Sequence, residues 1–138
     1  MKERPFDSDS FVLSELPKLE LDPDKFVVVG SGVLDALGIR RANDIDFVTD
    51  ELTYTELADK GWKKAENSPS LVSGDFEVYL TWDSKDGRPN FADLHENSQQ
   101  IDGYNFVKLE RLLDWKKRVA RPKDLLDVEK IEAFLGIG

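Results

Sequence analysis

Residues 26–49 read FVVVGSGVLDALGIRRANDIDFVT, and this stretch sets the frame for the rest of the chain. Its first four residues are apolar and favour a β-strand. A glycine turn at 30–32 follows, where Ser31 is placed to cap a helix and free backbone N–H groups can receive a phosphate. Gly38 is a suitable C-cap for that short helix. The stretch therefore predicts a strand, a phosphate-binding turn and a short helix.

Two acidic residues mark the strand that follows this helix. Asp44 and Asp46 flank Ile45. Because side chains alternate between the faces of a strand, both carboxylates project from one face while Ile45 points to the core. Taken separately, a glycine turn is usually only a helix cap, and an Asp-x-Asp pair is usually a solvated strand face. Their combination in one strand-helix-strand frame predicts a site for phosphate and a divalent metal.

The composition is that of an ordinary globular domain. The 138 residues are 40% hydrophobic and 34% charged, which predicts a single domain over residues 1–138 with a flexible polar segment at 1–10. No apolar run is long enough to span a bilayer. The first residues also lack the apolar segment of a signal peptide. We therefore expect a cytoplasmic protein with no membrane partner.

Charge and residue usage exclude several classes of site. The formal net charge is −9, which argues against broad, sequence-independent binding of duplex nucleic acid but leaves room for a local basic pocket. The chain has no cysteine and one histidine, so a thiolate site or a multi-histidine zinc site is excluded within one chain. Basic residues cluster at 40–41 and 116–123. These clusters can serve a small phosphorylated ligand, or they can be solvated helix faces.

A site with two metal ions usually needs a third carboxylate. The segment 75–82 alternates apolar and polar residues and is predicted to be a strand, in a hairpin with 71–72. Glu77 lies on the polar face of this strand and is the first candidate, with Asp75 second. The alternative, that Glu77 is ordinary strand surface, stays open.

The C-terminal part is predicted to form two consecutive helices that meet at Pro122, a residue suited to the first position of a helix. The first helix carries an apolar stripe over 109–120 with Lys116 in its centre, where a lysine must snorkel to solvent or reach a specific partner. We predict that Lys116 contacts a triphosphate. Asp124 and Asp127 share one face of the second helix, and a structural salt-bridge corner accounts for them as well as a binding site does. The buried face of the second helix is predicted to comprise Leu125, Val128, Ile131 and Leu135.

Together these features resemble the minimal nucleotidyltransferases of the polymerase-beta superfamily. The resemblance rests on the Gly30-Ser31 turn, the segment Asn-Asp-Ile-Asp at 43–46, the Glu77 strand, Lys116 and the segment 121–127. The last segment, Arg-Pro-Lys-Asp-Leu-Leu-Asp, is similar to an element of bacterial toxin-type and antitoxin-type members. The resemblance implies an α+β (mixed α/β) fold of the nucleotidyltransferase-like kind, with a small mixed β-sheet flanked by helices and a C-terminal helix pair.

The resemblance also implies a chemistry. Mg²⁺ would be held by Asp44, Asp46 and Glu77, and a nucleoside monophosphate would pass from a nucleoside triphosphate such as ATP to a hydroxyl acceptor. Glu77 would also serve as the base toward that hydroxyl. Nucleotide contacts are expected from Gly30, Ser31, Arg41, Lys116, Lys123 and Asp124.

Two departures from the family pattern leave alternatives open. The third acidic position is usually aspartate, and Glu77 places its carboxylate one methylene further out. The chain also lacks the extra domain with which larger members bind an acceptor, so the acceptor is expected to be small, to be an RNA, or to come with a protein partner. The alternatives to a transferase are an antitoxin-like interaction module that keeps the fold without turnover, and a nucleotide-sensing protein.

Overall fold

The computed structural model describes residues 6–137, which form a seven-stranded mixed β-sheet and six α-helices. Two short 3₁₀ turns, at Leu16–Leu19 and Pro23–Lys25, connect the first helix to the first strand. The strands are β1 (Phe26–Val29), β2 (Ile45–Thr49), β3 (Lys63–Lys64), β4 (Leu71–Ser73), β5 (Phe76–Tyr79), β6 (Ser98–Ile101) and β7 (Tyr104–Val107). The helices are α1 (Phe11–Glu15), α2 (Ser31–Ala36), α3 (Glu51–Asp59), α4 (Phe91–Glu96), α5 (Leu109–Val119) and α6 (Pro122–Leu135).

Strand β1 lies near the middle of the sheet, whose order is β3-β4-β5-β2-β1-β7-β6. It pairs antiparallel with β2 and parallel with β7, while β2 pairs parallel with β5. All four residues of β1 are buried, as expected of an apolar strand covered on both faces. In the β1–β2 register, Val29 is the partner of Asp46. The end of β1 and the start of β2 therefore bring the glycine turn and the acidic pair to the same edge of the sheet.

The strand-helix-strand frame predicted for residues 26–49 is confirmed, as are the hairpin of β4 with β5 and the C-terminal helix pair. One strand was not predicted. Segment 98–101 reads Ser-Gln-Gln-Ile, which has no apolar alternation, yet it forms β6 and pairs with β7 across the turn at 102–103. The preceding helix α4 ends at Glu96.

The glycine turn differs from the prediction in how its helix is capped. Gly30, not Ser31, is the N-cap residue of α2, and no side chain caps this helix. Gly30 has φ 68° and ψ −146°, a backbone region that is essentially reserved for glycine. The Ser31 hydroxyl, which is not used in capping, binds Arg40 instead.

Helix α2 packs closely on β1 at Gly32, and this closeness sets the position of the turn. We expect Gly32→Ala to lower the free energy of unfolding by about 1–3 kcal/mol, the usual cost of overpacking. The reason is that the added Cβ would lie 2.7 Å from Cγ1 of Val28. Urea unfolding measures the loss. The double variant Val28→Ala/Gly32→Ala makes room for the methyl group, so its loss should be smaller than the sum of the single losses; strictly additive losses would contradict the clash.

The C-terminal helix pair departs from the predicted burial at three positions. Leu125 of α6 is 50% exposed, Val119 at the end of α5 is 40% exposed, and Ala120, which follows α5, is also exposed. The other predicted α6 core positions, Val128 and Ile131, are buried, and Leu135 is half-buried. The prediction failed for Leu125 because α6 turns only one narrow stripe toward the core, with the buried Asp124 and Asp127 on it.

The N-terminal segment makes defined contacts from residue 7 onward. The Asp7 N–H donates to the carbonyl of Ala36 at 2.9 Å, and the side chain of Ser10 caps α1 by accepting from the Leu13 N–H. Residues 1–5 of the predicted flexible segment lie outside the described residues. Among the helices of residues 6–137, none has the length and apolar character needed to cross a bilayer.

Candidate functional site

A cleft of about 750 Å³ lies where the edge of the sheet that holds the turn meets helices α5 and α6. Its lining combines the glycine turn, the start of β2, the end of β5 with the residues after it, and the two C-terminal helices. The polar and aromatic residues of the lining are Ser31, Arg40, Asn43, Asp44, Asp46, Tyr79, Thr81, Trp82, Trp115, Lys116, Arg121, Lys123, Asp127 and Lys130.

The acidic edge of the cleft is formed by Asp44 and Asp46. Asp44 is exposed, whereas Asp46 is partly buried. A Cβ added to Gly30 would lie 3.6 Å from Oδ2 of Asp46, so the turn passes directly beside this carboxylate. Burial raises the pKa of Asp46 to about 7, with further contributions from the negative charges of Asp44 and Glu77. The nearby Lys123 opposes this shift only in part. The edge thus carries negative charge that the protein does not fully compensate.

Glu77 lies next to Asp46 on the neighbouring strand, because the parallel register of β2 and β5 pairs these two residues. It is not part of the cleft lining. Its carboxylate accepts a hydrogen bond from the hydroxyl of the buried Ser70. Tyr79, two residues further along β5, does line the cleft. Burial, then the charge of Asp46 and a hydrogen bond with Glu77, raise the pKa of the Tyr79 phenol above its ordinary value. Glu77 therefore contributes negative charge and a hydrogen bond beside the cleft without lining it.

The donor set at the acidic edge fits a divalent cation only in part. Among residues 6–137, no group of three or more His, Cys, Asp or Glu residues is arranged to hold a metal ion. The predicted set of Asp44, Asp46 and Glu77 is therefore not assembled as a group in the structure. Two carboxylates with uncompensated charge do suit Mg²⁺, which commonly uses one or two carboxylates together with substrate phosphates.

Arg40 connects the glycine turn to α6. Its Nε and Nη2 donate to the two carboxylate oxygens of Asp127 at 2.6 and 2.8 Å, and Nη2 also donates to Ser31 Oγ at 2.8 Å. The hydrogen bonds to Asp127 raise the pKa of Arg40 above its ordinary value, against the effect of burial. Bidentate pairing of this kind fixes the plane of the guanidinium. The turn and the helix pair are therefore held at a defined separation across the cleft.

Lys116 reaches specific partners rather than snorkelling to solvent. Its side chain is 4% exposed, and Nζ lies 3.2 Å from Oδ1 of Asp124 and 2.9 Å from Oδ2 of Asp127. Asp124 also binds Arg121 through the side chain and the backbone N–H. Burial raises the pKa of Asp124, but hydrogen bonds from Arg121 and Lys116 outweigh it and hold the pKa below its ordinary value. This salt-bridge corner is consequently a built part of the α5–α6 junction.

Two residues predicted to bind nucleotide lie outside the cleft. Arg41 turns toward the N-terminal segment, where its guanidinium donates to Asp7 at 2.6 Å and to the backbone carbonyls of Asp9 and Asp35 at 2.8 and 3.0 Å. Asp124 is fully buried and supports Lys116 and Arg121 from behind. Apart from Glu77, the remaining predicted site residues lie in the lining: Gly30, Ser31, Asp44, Asp46, Lys116 and Lys123.

Cationic side chains outnumber acidic ones in the cleft, despite the acidic character of the whole chain. Within residues 6–137, Lys123 and Lys130 have no ion pair within 4 Å, so they are available to a ligand. The cations of the lining are Arg40, Lys116, Arg121, Lys123 and Lys130, and the acids are Asp44, Asp46 and Asp127. The cleft is therefore suited to an anion, with an acidic edge on the sheet side.

Several lining residues were not identified from the sequence. Arg40 is adjacent to Arg41, and nothing in the local pattern distinguishes the two. Trp82 and Trp115 lie 33 positions apart in chain order, and only the tertiary fold brings them together. Lys130 lies one helical turn after Leu126 on the same face of α6. Its spacing from Leu126 was the one sequence signal that could have identified it as a lining residue.

Comparison of the chain with protein families, with curated proteins and with solved structures gave no match.

Proposed function

We propose that this protein is a Mg²⁺-dependent nucleotidyltransferase that moves a nucleoside monophosphate from a nucleoside triphosphate to a hydroxyl acceptor. The observation that carries the proposal is the juxtaposition, in one cleft, of a glycine turn, two carboxylates on the sheet edge and a set of cations on the helix pair. Phosphoryl chemistry of this type depends on positioning and on stabilising negative charge. The cleft supplies both requirements.

The phosphate-binding part of the cleft is assigned to its cations and to the turn. Lys123 and Lys130 carry charges without ion pairs inside residues 6–137, and they are the first candidates for the outer phosphates. The Gly30 backbone passes close to Asp46, which keeps a bound phosphate near the acidic edge. Lys116 and Arg40 are already paired with Asp127, so they position the cleft and contribute to its positive potential.

The metal is assigned to Asp44 and Asp46. A bound Mg²⁺ would neutralise phosphate charge and orient the transferred group. Burial and the negative charges of Asp44 and Glu77 favour protonation of Asp46 in the free protein, so occupancy of this edge by a cation relieves repulsion. Glu77 lies beside Asp46 on the adjacent strand and adds negative charge there. We do not assign it the base, because it lies outside the lining.

Calorimetry and a transfer assay test this function. We expect a nucleoside triphosphate to bind in the presence of Mg²⁺ and to bind at least about 10-fold more weakly without it, since metal and phosphates share the site. The substitution Asp44→Asn should remove most of that Mg²⁺ dependence while leaving the fold intact, because Asp44 is exposed. Asp75→Asn removes an exposed acid outside the lining, so it should change neither the nucleotide affinity nor its dependence on Mg²⁺. A folded sample that binds none of ATP, CTP, GTP and UTP would overturn the proposal.

A second candidate function is a protein-interaction module of the antitoxin-like kind. It is favoured by the exposed apolar residues of α6 and the chain that follows, where Leu126, Phe134 and Ile137 are 59%, 50% and 61% exposed. Such a module would hold its partner equally well as wild type and as Asp44→Asn, and would lose it on Phe134→Ser. A nucleotide sensor, by contrast, would bind nucleotide without transferring label to RNA, protein or small hydroxyl acceptors.

A further inference from the structure

Two tryptophans form an aromatic wall on one side of the cleft. Trp82 follows β5 and Trp115 belongs to α5; both line the cleft, both are partly exposed, and their ring centroids are 5.3 Å apart at an interplanar angle of 39°. Partial exposure of two large aromatic side chains inside a polar cleft leaves apolar area that a flat ligand can cover. We call Trp82 and Trp115 the aromatic wall.

The aromatic wall is held in place by contacts on both sides. The backbone of Trp82 is clamped by Asn90, whose Oδ1 accepts from the Trp82 N–H at 3.1 Å and whose Nδ2 donates to the Trp82 carbonyl at 2.7 Å. The next residue, Asp83, binds Arg118 of α5 at 3.0 Å. Through these contacts the loop after β5 is tied to the helix that carries Trp115. The wall is consequently preorganised, which lowers the entropic cost of binding a ligand to it.

The wall adjoins the cationic part of the cleft. Nζ of Lys116 lies 5.7 Å, and Cζ of Arg121 5.6 Å, from the centroid of the Trp115 ring. Both cations line the cleft. A ligand with an anionic end and a flat apolar end therefore meets matching chemistry at neighbouring places. Of the common phosphorylated ligands, nucleotides have this combination, whereas sugar phosphates and inorganic polyphosphates lack the flat end.

Within residues 6–137, neither indole N–H of the wall has a hydrogen-bond partner. Cations lie over both rings, with Arg111 Cζ 5.9 Å from the Trp82 centroid and with Lys116 and Arg121 beside Trp115. The wall therefore offers a base the ring area that is still exposed, together with two donors and no acceptor of its own. Stacking of this kind tolerates every base, because every base has a π-face, and it favours larger ring systems through stacking strength. Selection among bases by the wall alone would therefore follow ring size.

We propose that the aromatic wall is the nucleobase subsite of the cleft, so that the ligand is a purine nucleotide in preference to a pyrimidine nucleotide or a bare triphosphate. This inference rests on the proposed function, because it assumes that the phosphates occupy the cationic part of the same cleft. It assigns Trp82 and Trp115 to ligand selection, a role that is separable from the acidic edge.

Binding to tryptophan variants tests the subsite. Mg²⁺ complexes of ATP, UTP and inorganic triphosphate are titrated into wild type, Trp82→Leu, Trp115→Leu and Trp62→Leu by calorimetry. Trp62 is the matched control, since it is the third tryptophan of the chain and packs against Phe47 and Phe76 away from this cleft. We expect either wall variant to bind ATP about 5- to 100-fold more weakly, the usual range for loss of one base stack. In the wall variants the affinity for inorganic triphosphate should change less than about 2-fold. Trp62→Leu should change the affinity for neither ATP nor inorganic triphosphate.

Tryptophan-to-phenylalanine variants keep the experiment decisive if a leucine variant does not fold. Trp82→Phe and Trp115→Phe retain a smaller π-face. We therefore expect each of them to lose less ATP affinity than the corresponding leucine variant. Wild type is expected to bind ATP more tightly than UTP.

The outcomes separate this inference from the proposed function. Equal affinity of wild type for ATP and inorganic triphosphate, or equal weakening of both by the wall variants, would overturn the nucleobase subsite and leave the transferase standing. Tryptophan-dependent ATP binding without transfer of label would support the subsite and count against the transferase. Failure of wild type to bind either ligand would overturn both.

Discussion

Replacing Asp46 by asparagine is expected to stabilise the free protein above pH 7 while abolishing the proposed Mg²⁺-dependent transfer. The stabilisation should be on the order of 2 kcal/mol at pH 8, which is less than the full pKa shift would give because solvent reaches part of the side chain. The loss of transfer should be at least about 100-fold, since the substitution removes a carboxylate to which we assign the metal. Opposite signs for stability and activity are typical of residues kept for function.

The sign of the stability effect follows from proton binding. The folded-state pKa of Asp46 is raised to about 7, first by burial and then by the charges of Asp44 and Glu77, from an ordinary value of 3.8. Between about pH 4 and pH 7 the folded protein therefore holds a proton that the unfolded chain releases. Stability contributed by this group is present at low pH and is lost as the pH rises through 7. The asparagine variant has an uncharged amide at this position at every pH, so its free energy of unfolding does not fall in this way as the pH rises.

Urea unfolding of wild type and Asp46→Asn at pH 5 and pH 8, without metal, measures the effect. The difference between the two proteins should grow from pH 5 to pH 8. Asp75→Asn is the control, because it removes an exposed carboxylate from the turn of the neighbouring hairpin, and its difference from wild type should stay nearly constant. A variant less stable than wild type at pH 8 would show that Asp46 is already compensated in the free protein.

The sequence was sufficient for the parts of the site that local geometry determines. Alternation predicted that Asp44 and Asp46 would lie together, and both line the cleft although Asp44 immediately precedes β2; the glycine turn follows β1 as expected. It was not sufficient where a choice depends on tertiary packing. Arg40 and Arg41 are chemically identical neighbours, and only the path of residues 37–44 decides that one binds Asp127 in the cleft and the other binds Asp7.

Lys116 illustrates the same limit for a buried charge. Its place in an apolar stripe correctly indicated that a specific partner was required, but the sequence could not show whether that partner was a ligand or the protein. In the structure Asp124 and Asp127 take that place. The prediction that Lys116 contacts a triphosphate remains a proposal, since Lys116 also lines the cleft. The sequence was likewise insufficient for Glu77. Its strand was predicted, but the sequence did not show that the register of β5 brings Glu77 beside Asp46 and outside the lining.

The salt-bridge corner leads to the second large effect, which is that Asp127→Ala should lower the free energy of unfolding by about 3–5 kcal/mol. Asp127 is 4% exposed and accepts from Arg40 and from Lys116, itself 4% exposed. Its removal leaves a buried lysine with Asp124 as its remaining carboxylate, which Arg121 already shares. An incompletely paired buried charge is far more costly than a lost surface pair.

Glu132→Ala provides the matched control, because it removes another α6 carboxylate whose partner, Lys117, is 50% exposed. We expect that change to cost no more than about 1 kcal/mol. Burial raises the pKa of Asp127, but hydrogen bonds from Arg40 and Lys116 outweigh it and hold the pKa below the ordinary 3.8. Its stabilising contribution is therefore present above about pH 4 and is lost as the pH falls through the lower folded-state pKa. Urea unfolding at pH 7 and pH 3 should show the gap between wild type and Asp127→Ala narrowing at pH 3, whereas a gap independent of pH would mean that packing, and not charge, holds α6 against the cleft.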